Sequence, residues 1–308
     1  MINVYERVEV NKRKSALVVV GFVVFVAAVA YVFSQALGYG LDMVGIALIL
    51  SGVMSFASYY WSDKIILSLS GAREADRDRD FEFYTVAENL AMAARLPKPR
   101  LYVIEDTAMN AFATGRDPDH AVVVATTGLL DRLDRSELEG VVAHELAHVK
   151  NYDIRLMGVV AILVGLVALL ADWFLRISAW GGGRKRDNEG NNQLQAILMI
   201  VGILLALLAP LVANLIKLAI SRRREFLADA EAAKLTRYPE GLARALEKIS
   251  KDSEPLEAAN KATAHLYISD PLKNRHDAIG WFAGLFNTHP PVEERIAALR
   301  AWSGSLNI

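Results

Sequence analysis

Four long apolar runs leave this chain few ways to fold. The first, Ser15 to Phe33, is uncharged and follows Lys12, Arg13 and Lys14. The second covers Leu41 to Trp61, with Asp42 near one end and Asp63 just past the other. The third is Ile154 to Leu175. The fourth is Leu194 to Ile220, with Pro210 inside it and Lys217 near its end. Each is close to or above the ~20 residues with which a helix crosses a hydrocarbon core. A membrane helix tolerates proline as a kink, and a lysine near its end reaches the interface along its own stem. The basic start of the first run is also found in signal peptides, but the run exceeds their ~7–15 apolar residues and a second span follows at once. The expectation is a mainly α protein with four transmembrane helices. For the third and fourth runs the alternative is a buried helical hairpin in a large core.

Flanking charge orients these spans. Arg7, Lys12, Arg13 and Lys14 precede the first, whereas Ser34 to Gly40 carries no Lys or Arg. Lys64, Arg73, Arg77 and Arg79 follow the second span, and Arg222, Arg223 and Arg224 follow the fourth. The loop between spans three and four runs against this trend with Arg176, Arg184, Lys185 and Arg186; it is rich in Gly and Asn and reads as an external linker. The majority predicts a multi-pass protein of the cell membrane with both termini cytoplasmic. The chain then divides into a membrane hairpin (1–61), a soluble part (62–153), a second hairpin (154–220) and a second soluble part (221–308). The two soluble parts share one face. With 34 Lys+Arg against 35 Asp+Glu the net charge is −1, which lacks the basic footprint of nucleic-acid binding. There is no cysteine, so disulfides, thiolate metal sites, iron–sulfur clusters and a thiol nucleophile are excluded. A metal site must use His, Asp and Glu.

The soluble parts predict an α+β domain with a small sheet. Phe81 to Leu96 reads as an amphipathic helix ending before Pro97. Leu101 to Ile104, Phe112 to Thr114 and Ala121 to Thr126 read as strands, the last two joined by a turn over Gly115 to Asp119. Ser136 and Glu139 form the pattern of a capping box that opens a helix to about Tyr152. Helices follow over Arg222 to Thr236, Pro239 to Ser250 and Pro291 to Trp302, with Lys251 to Arg275 irregular.

On the capped helix lies His144-Glu145-Leu146-Ala147-His148. Histidines at i and i+4 are one turn apart, so both imidazoles leave one face and can share an ion. Neutral imidazole suits Zn²⁺. Glu145 points about 100° away around the helix, beside the metal, where a carboxylate can take a proton from water. The neighbours Val141, Val142, Leu146, Ala147 and Val149 bury this helix, and buried imidazoles and a buried carboxylate are costly without a metal or other partners.

A catalytic zinc needs a third protein ligand. No third histidine follows at the short spacing of the metzincins: Asn151 stands where their Gly would be and Ile154 where their His would be. Ser221 to Ala230 offers Glu225 and Asp229 one turn apart. Glu225 as ligand and Asp229 as acceptor of a ligand's N–H is one reading. A solvated helix start with Glu225 paired to an arginine is the other. The upstream pair, and a topology returning Glu225 to the same membrane face, favour the ligand.

NAFATG (Asn110 to Gly115), HELAHVKNYD (His144 to Asp153), SRRREFLADA, HLYISDPL (His265 to Leu272) and FNTHPPVEERI (Phe286 to Ile296), set in this span pattern, cover nearly the whole chain. In these the chain resembles the HtpX-type membrane zinc endopeptidases, relatives of the CAAX prenyl proteases. The resemblance implies a gluzincin-like catalytic domain facing the cytosol that degrades membrane or misfolded proteins. It implies one zinc on His144, His148 and Glu225, with Glu145 as general base and Asp229 behind the ligands.

Other residues carry paired readings. His289, before Pro290-Pro291, is a candidate oxyanion donor or a structural histidine tied to a carbonyl. Arg295 is expected behind the site, orienting His289 or pairing Glu294. Asn110, Ala111 and Phe112 are a candidate edge strand for an extended peptide or an ordinary sheet edge. His265 reads as packing, and His120 and His276 as exposed. A proteolytically inactive membrane scaffold or chaperone-like binder would not need Glu145. A transporter is disfavoured by spans almost free of charge, and a CAAX-type processing protease by their number.

Overall fold

A computed structural model of the chain describes residues 4–37, 42–163, 222–257, 266–268 and 290–305. Two long helices come first, α1 (Val4–Leu37) and α2 (Asp42–Leu69), packed against each other. α1 begins well before the apolar run of the first span, so its basic segment is itself helical. α2 bends at Trp61, where φ is −122° and ψ 16°, which is where the second apolar run ends. Among the described residues, one helical stretch, Gly45–Leu69, is long and apolar enough to cross a membrane by length and composition. Leu17, Val20 and Val24 of α1 and Ile46, Ile49, Val53 and Phe56 of α2 are exposed. Ser51, Ser55, Ser58 and Ser62 of α2, at helical spacing, are buried. Residues 153–163 begin the third run as a helix, and Ser58 Oγ lies 3.5 Å from the Val159 carbonyl oxygen of that helix. The rest of the third run and the whole of the fourth lie outside the described residues.

The remaining elements are β1 (Arg73–Glu74), α3 (Phe81–Ala94), β2 (Arg100–Ile104), β3 (Ala111–Thr114), β4 (Val122–Thr126), α4 (Thr127–Arg132), α5 (Arg135–Lys150), α6 (Arg222–Thr236), α7 (Pro239–Lys251) and α8 (Val292–Ser305). The strands form one mixed sheet in the order β1-β2-β4-β3, parallel between β2 and β4 and antiparallel elsewhere. β3 and β4 are the expected hairpin. Its turn needs glycine at Gly115, whose φ is +134° and where a Cβ would lie 2.4 Å from the His120 carbonyl oxygen.

Both faces of the sheet are covered. Val123 and Ala125 of β4 join Ala111, Ala113, Leu101 and Val103 in a core closed by α3, α5 and α7. Val122 and Val124 point the other way, with Phe112 and Ile104, onto Ile66 and Leu67 of α2 and Met157 and Ala161. Alternate residues therefore face two apolar layers, and the strand reads as a continuous apolar run.

The start of α5 corrects an expectation. Its capping box is Asp134 with Glu137, not Ser136 with Glu139. Asp134 Oδ1 accepts from Glu137 N at 3.0 Å, and Glu137 Oε2 accepts from Asp134 N at 2.8 Å. Glu137 is buried and also takes Lys248 Nζ of α7 at 2.6 Å, so tertiary packing selects the earlier register. Ser136 Oγ only supports the cap by donating to Asp134, and Glu139 pairs with Arg135 on the surface.

Candidate active site

α5 lies between the sheet and α6, and its buried face carries both histidines. The Nε2 atoms of His144 and His148 are 3.2 Å apart. α6 presents Glu225 to them, with Oε1 3.5 Å from His148 Nε2 and Oε2 3.7 Å from His144 Nε2. All three side chains are buried, and one donor atom of each lies within 4.8 Å of the others.

The other ring nitrogens are held from behind. His144 Nδ1 is 2.9 Å from Asp229 Oδ1, and His148 Nδ1 is 3.0 Å from Asp153 Oδ2. An ionised carboxylate only accepts, so each Nδ1 can donate its proton outward, and each ring faces inward with Nε2, the atom that binds a metal once the ring is neutral. Two such nitrogens at 3.2 Å need a proton or a metal cation between them. A tetrahedral ion at ~2.0–2.1 Å from its ligands sets neighbouring donors about 3.3 Å apart, close to the separations seen here. The residues present therefore fit a metal ion of zinc's geometry.

Arg295 of α8 is buried behind this group. Its Nε donates to Asp229 Oδ2 at 2.8 Å and its Nη2 to Oδ1 at 2.7 Å, while Nη1 lies 3.6 Å from Glu225 Oε2. The fork explains why Asp229 stays ionised: burial would raise its pKa, but Arg295 and His144 together hold it below the usual carboxylate range. The pairing with Glu294 considered from sequence gives way to this one, since consecutive helical residues do not face each other.

Glu145 is buried on the adjoining side of α5 and accepts a hydrogen bond from the Ala113 backbone N–H of β3. Burial pushes its pKa up to about 7; His148 and Arg295 oppose the shift and Glu225 adds to it. Burial alone would lower His148, but Asp153, Glu225 and Glu145 outweigh it and raise the imidazole to about 9. His144 moves the other way, lowered by burial and by neighbouring Arg295 and His148 against the pull of Asp229.

β3 is the edge of the sheet on this side. At Ala111 the edge is already satisfied, because the N–H donates to Asn110 Oδ1 at 3.1 Å and the carbonyl accepts from Ile268 N at 3.0 Å. Asn110 and Phe112 are buried, Phe112 edge-on to Tyr267. His120 is half exposed in a short 3-10 turn beside Asp117. His265, His276 and His289 lie outside the described residues.

Two participants had no assigned role in the sequence reading. Asp153 reaches His148 across a turn in which Tyr152 adopts φ 59°. Asn11, on α1, donates to Asp153 Oδ1 at 2.7 Å. The spacing of five between His148 and Asp153 was visible, but no helical or strand period joins them, and nothing in the sequence signals Asn11.

Residues 77–303 match Peptidase family M48. The chain is 47% identical over 296 residues to the Protease HtpX homolog of Dictyoglomus thermophilum, covering 96% of this chain and 94% of that one. It is 44% identical over 297 residues to the Protease HtpX homolog of Caldanaerobacter subterraneus subsp. tengcongensis, covering 96% and 97%. A crystal structure of S. mikatae Ste24p aligns with 97% of this chain and 67% of its own at 19% identity and a TM-score of 0.48. With a buried His-His-Glu group able to hold a metal, and relatives of this kind along nearly its whole length, the chain belongs to peptidase family M48 and is a metalloprotease.

Proposed function

We propose that this metalloprotease is an integral-membrane zinc endopeptidase whose ligands are His144, His148 and Glu225 and whose general base is Glu145. The observation carrying this reading is the pair of inward Nε2 atoms at 3.2 Å, each fixed by a carboxylate on its far nitrogen. Zinc bound there supplies Lewis acidity, making water acidic near neutral pH and polarising a peptide carbonyl. Glu145 would take a proton from the attacking water and return it to the leaving amine, a task suited to a carboxyl with a pKa of about 7. Arg295 keeps Asp229 ionised, and Asp229 keeps His144 in the tautomer that binds metal. His289 is the proposed oxyanion donor.

An extended peptide is proposed to add to the edge of β3. Asn110-Ala111-Phe112 frames the start of that edge; Ala111 is satisfied internally and the Ala113 N–H is held by Glu145, so the peptide is proposed to pair through the Ala113 carbonyl, beside that carboxylate. The third apolar run starts six residues after His148, and Glu225 follows the fourth as closely. That proximity supports a site at the membrane surface and substrates that are membrane or unfolded proteins. In this reading the chain crosses the cell membrane four times, with the site and both termini cytoplasmic.

The detergent-purified chain should contain one zinc and cleave unfolded casein, lose cleavage to a chelator and regain it with zinc. Full activity after complete metal removal would overturn the reading.

A further inference from the structure

The basic start of α1 serves topology in the sequence reading, yet it docks onto the end of the histidine helix. Asn11 is buried, although it lies between the exposed Glu9 and Val10 and the exposed Lys12 and Arg13. Its amide nitrogen donates twice, to the Asn151 carbonyl oxygen at 2.8 Å and to Asp153 Oδ1 at 2.7 Å. Its Oδ1 accepts from Arg224 Nη1 at 3.3 Å, and Arg224 Nε lies 3.6 Å from Asp153 Oδ1. Lys12 sits 4.9 Å over the Tyr152 ring, and Tyr152 is in a left-handed conformation that a bulky side chain adopts only when its surroundings hold it there.

The consequence lies in how Asp153 is used. One oxygen, Oδ2, meets His148 Nδ1; the other, Oδ1, is occupied by Asn11. The last torsion of an aspartate is broad, and engaging the second oxygen, here by Asn11 with Arg224 nearby, narrows it. We propose that Asn11 is a positioning residue of the metal centre: by fixing Asp153 it sets the ring of His148, which makes the start of α1 part of the zinc site. This inference rests on the metal reading given above.

The test uses the full-length protein in detergent, with zinc as the probe in chelator competition and cobalt absorption as a report on ligand geometry. Asn11→Leu keeps the approximate volume and removes both donated bonds. Its zinc affinity should fall about tenfold, the lower end of what residues behind a metal ligand contribute. The metal-free protein should also lose some stability, because two buried acceptors lose their donor, and kcat should fall more than KM. Coupling is the decisive readout: in an Asp153→Asn background, Asn11→Leu should cost almost nothing further. Should Asn11→Leu fail to fold, Asn11→Asp keeps the shape but sets oxygen against Asp153 Oδ1, and it should show the same loss. Wild-type zinc affinity in both variants, or additive losses in the double variant, would overturn the positioning role. A wild type that binds no zinc would instead overturn the metal reading itself.

Discussion

At the scale of single residues, the site is a nest of buried charge in which each group is tied to another. Arg295 neutralises Asp229 and approaches Glu225 with no exposed atom to share the load. Arg295→Met should therefore destabilise the fold by about 3–5 kcal/mol, the cost of leaving buried carboxylates without their partner. Chemical denaturation checks this, and a loss under about 1 kcal/mol would argue that solvent reaches Asp229. His148 gives a pH prediction. Its pKa is raised to about 9, so in the metal-free protein the ring is protonated at neutral pH and metal must displace that proton. Apparent zinc affinity should rise with pH up to about 9, by roughly tenfold per unit for one displaced proton. Titration between pH 6 and 8 measures the slope, and a flat profile would mean the ring is already neutral. His144, Glu145 and His148 were legible because helical spacing is local and the chemistry needs those types at that distance. Glu225 and Asp229 were legible only in combination with them. The link from Asn11 to Asp153 was not, since it joins positions 142 apart with no periodicity to mark it.

At the scale of elements, α5 is held by its close crossing with α7. A Cβ at Gly140 would lie 2.6 Å from Leu242 N and 2.7 Å from Leu242 Cα, both backbone atoms that cannot step aside. Gly140→Ala should force the helices apart at a cost of about 1–3 kcal/mol, the range of core overpacking. Because the same helix carries His144 and His148, zinc affinity should fall along with the melting temperature. Unchanged values for both would mean that α7 adapts without disturbing α5. Sequence pattern placed the three principal strands and the helices of the soluble parts within a few residues. It missed the two-residue β1, whose only signal is its pairing with β2, and the short α4, which continues directly from β4. The cap of α5 was misplaced by two residues because Ser136-Glu139 and Asp134-Glu137 fit the same pattern, and the partners that favour the second, Lys248 and Arg244, lie on a distant helix.

At the scale of the whole molecule, the sheet is packed between the histidine helix on one face and extensions of the apolar helices on the other. That arrangement puts the site close to the bilayer in the proposed topology. The absence of native cysteine makes the topology testable by single-cysteine labelling. Asp78→Cys should react with an impermeant thiol reagent only from the cytoplasmic side, and Asn191→Cys only from the outside. Labelling of both from one side would contradict four crossings. The lengths of the apolar runs and their flanking charges are the sequence basis of the proposed topology. The packing of α2 and residues 153–163 onto the sheet was not, because apolar runs look alike whether lipid or protein covers them. The central claim is that a metal held by α5 and α6 works with Glu145 as base. It is tested most directly by purifying Glu145→Gln beside the wild type, measuring zinc content and casein cleavage on the same samples. The account predicts equal zinc in both and cleavage by the wild type alone; zinc-loaded Glu145→Gln cleaving at the wild-type rate would contradict it.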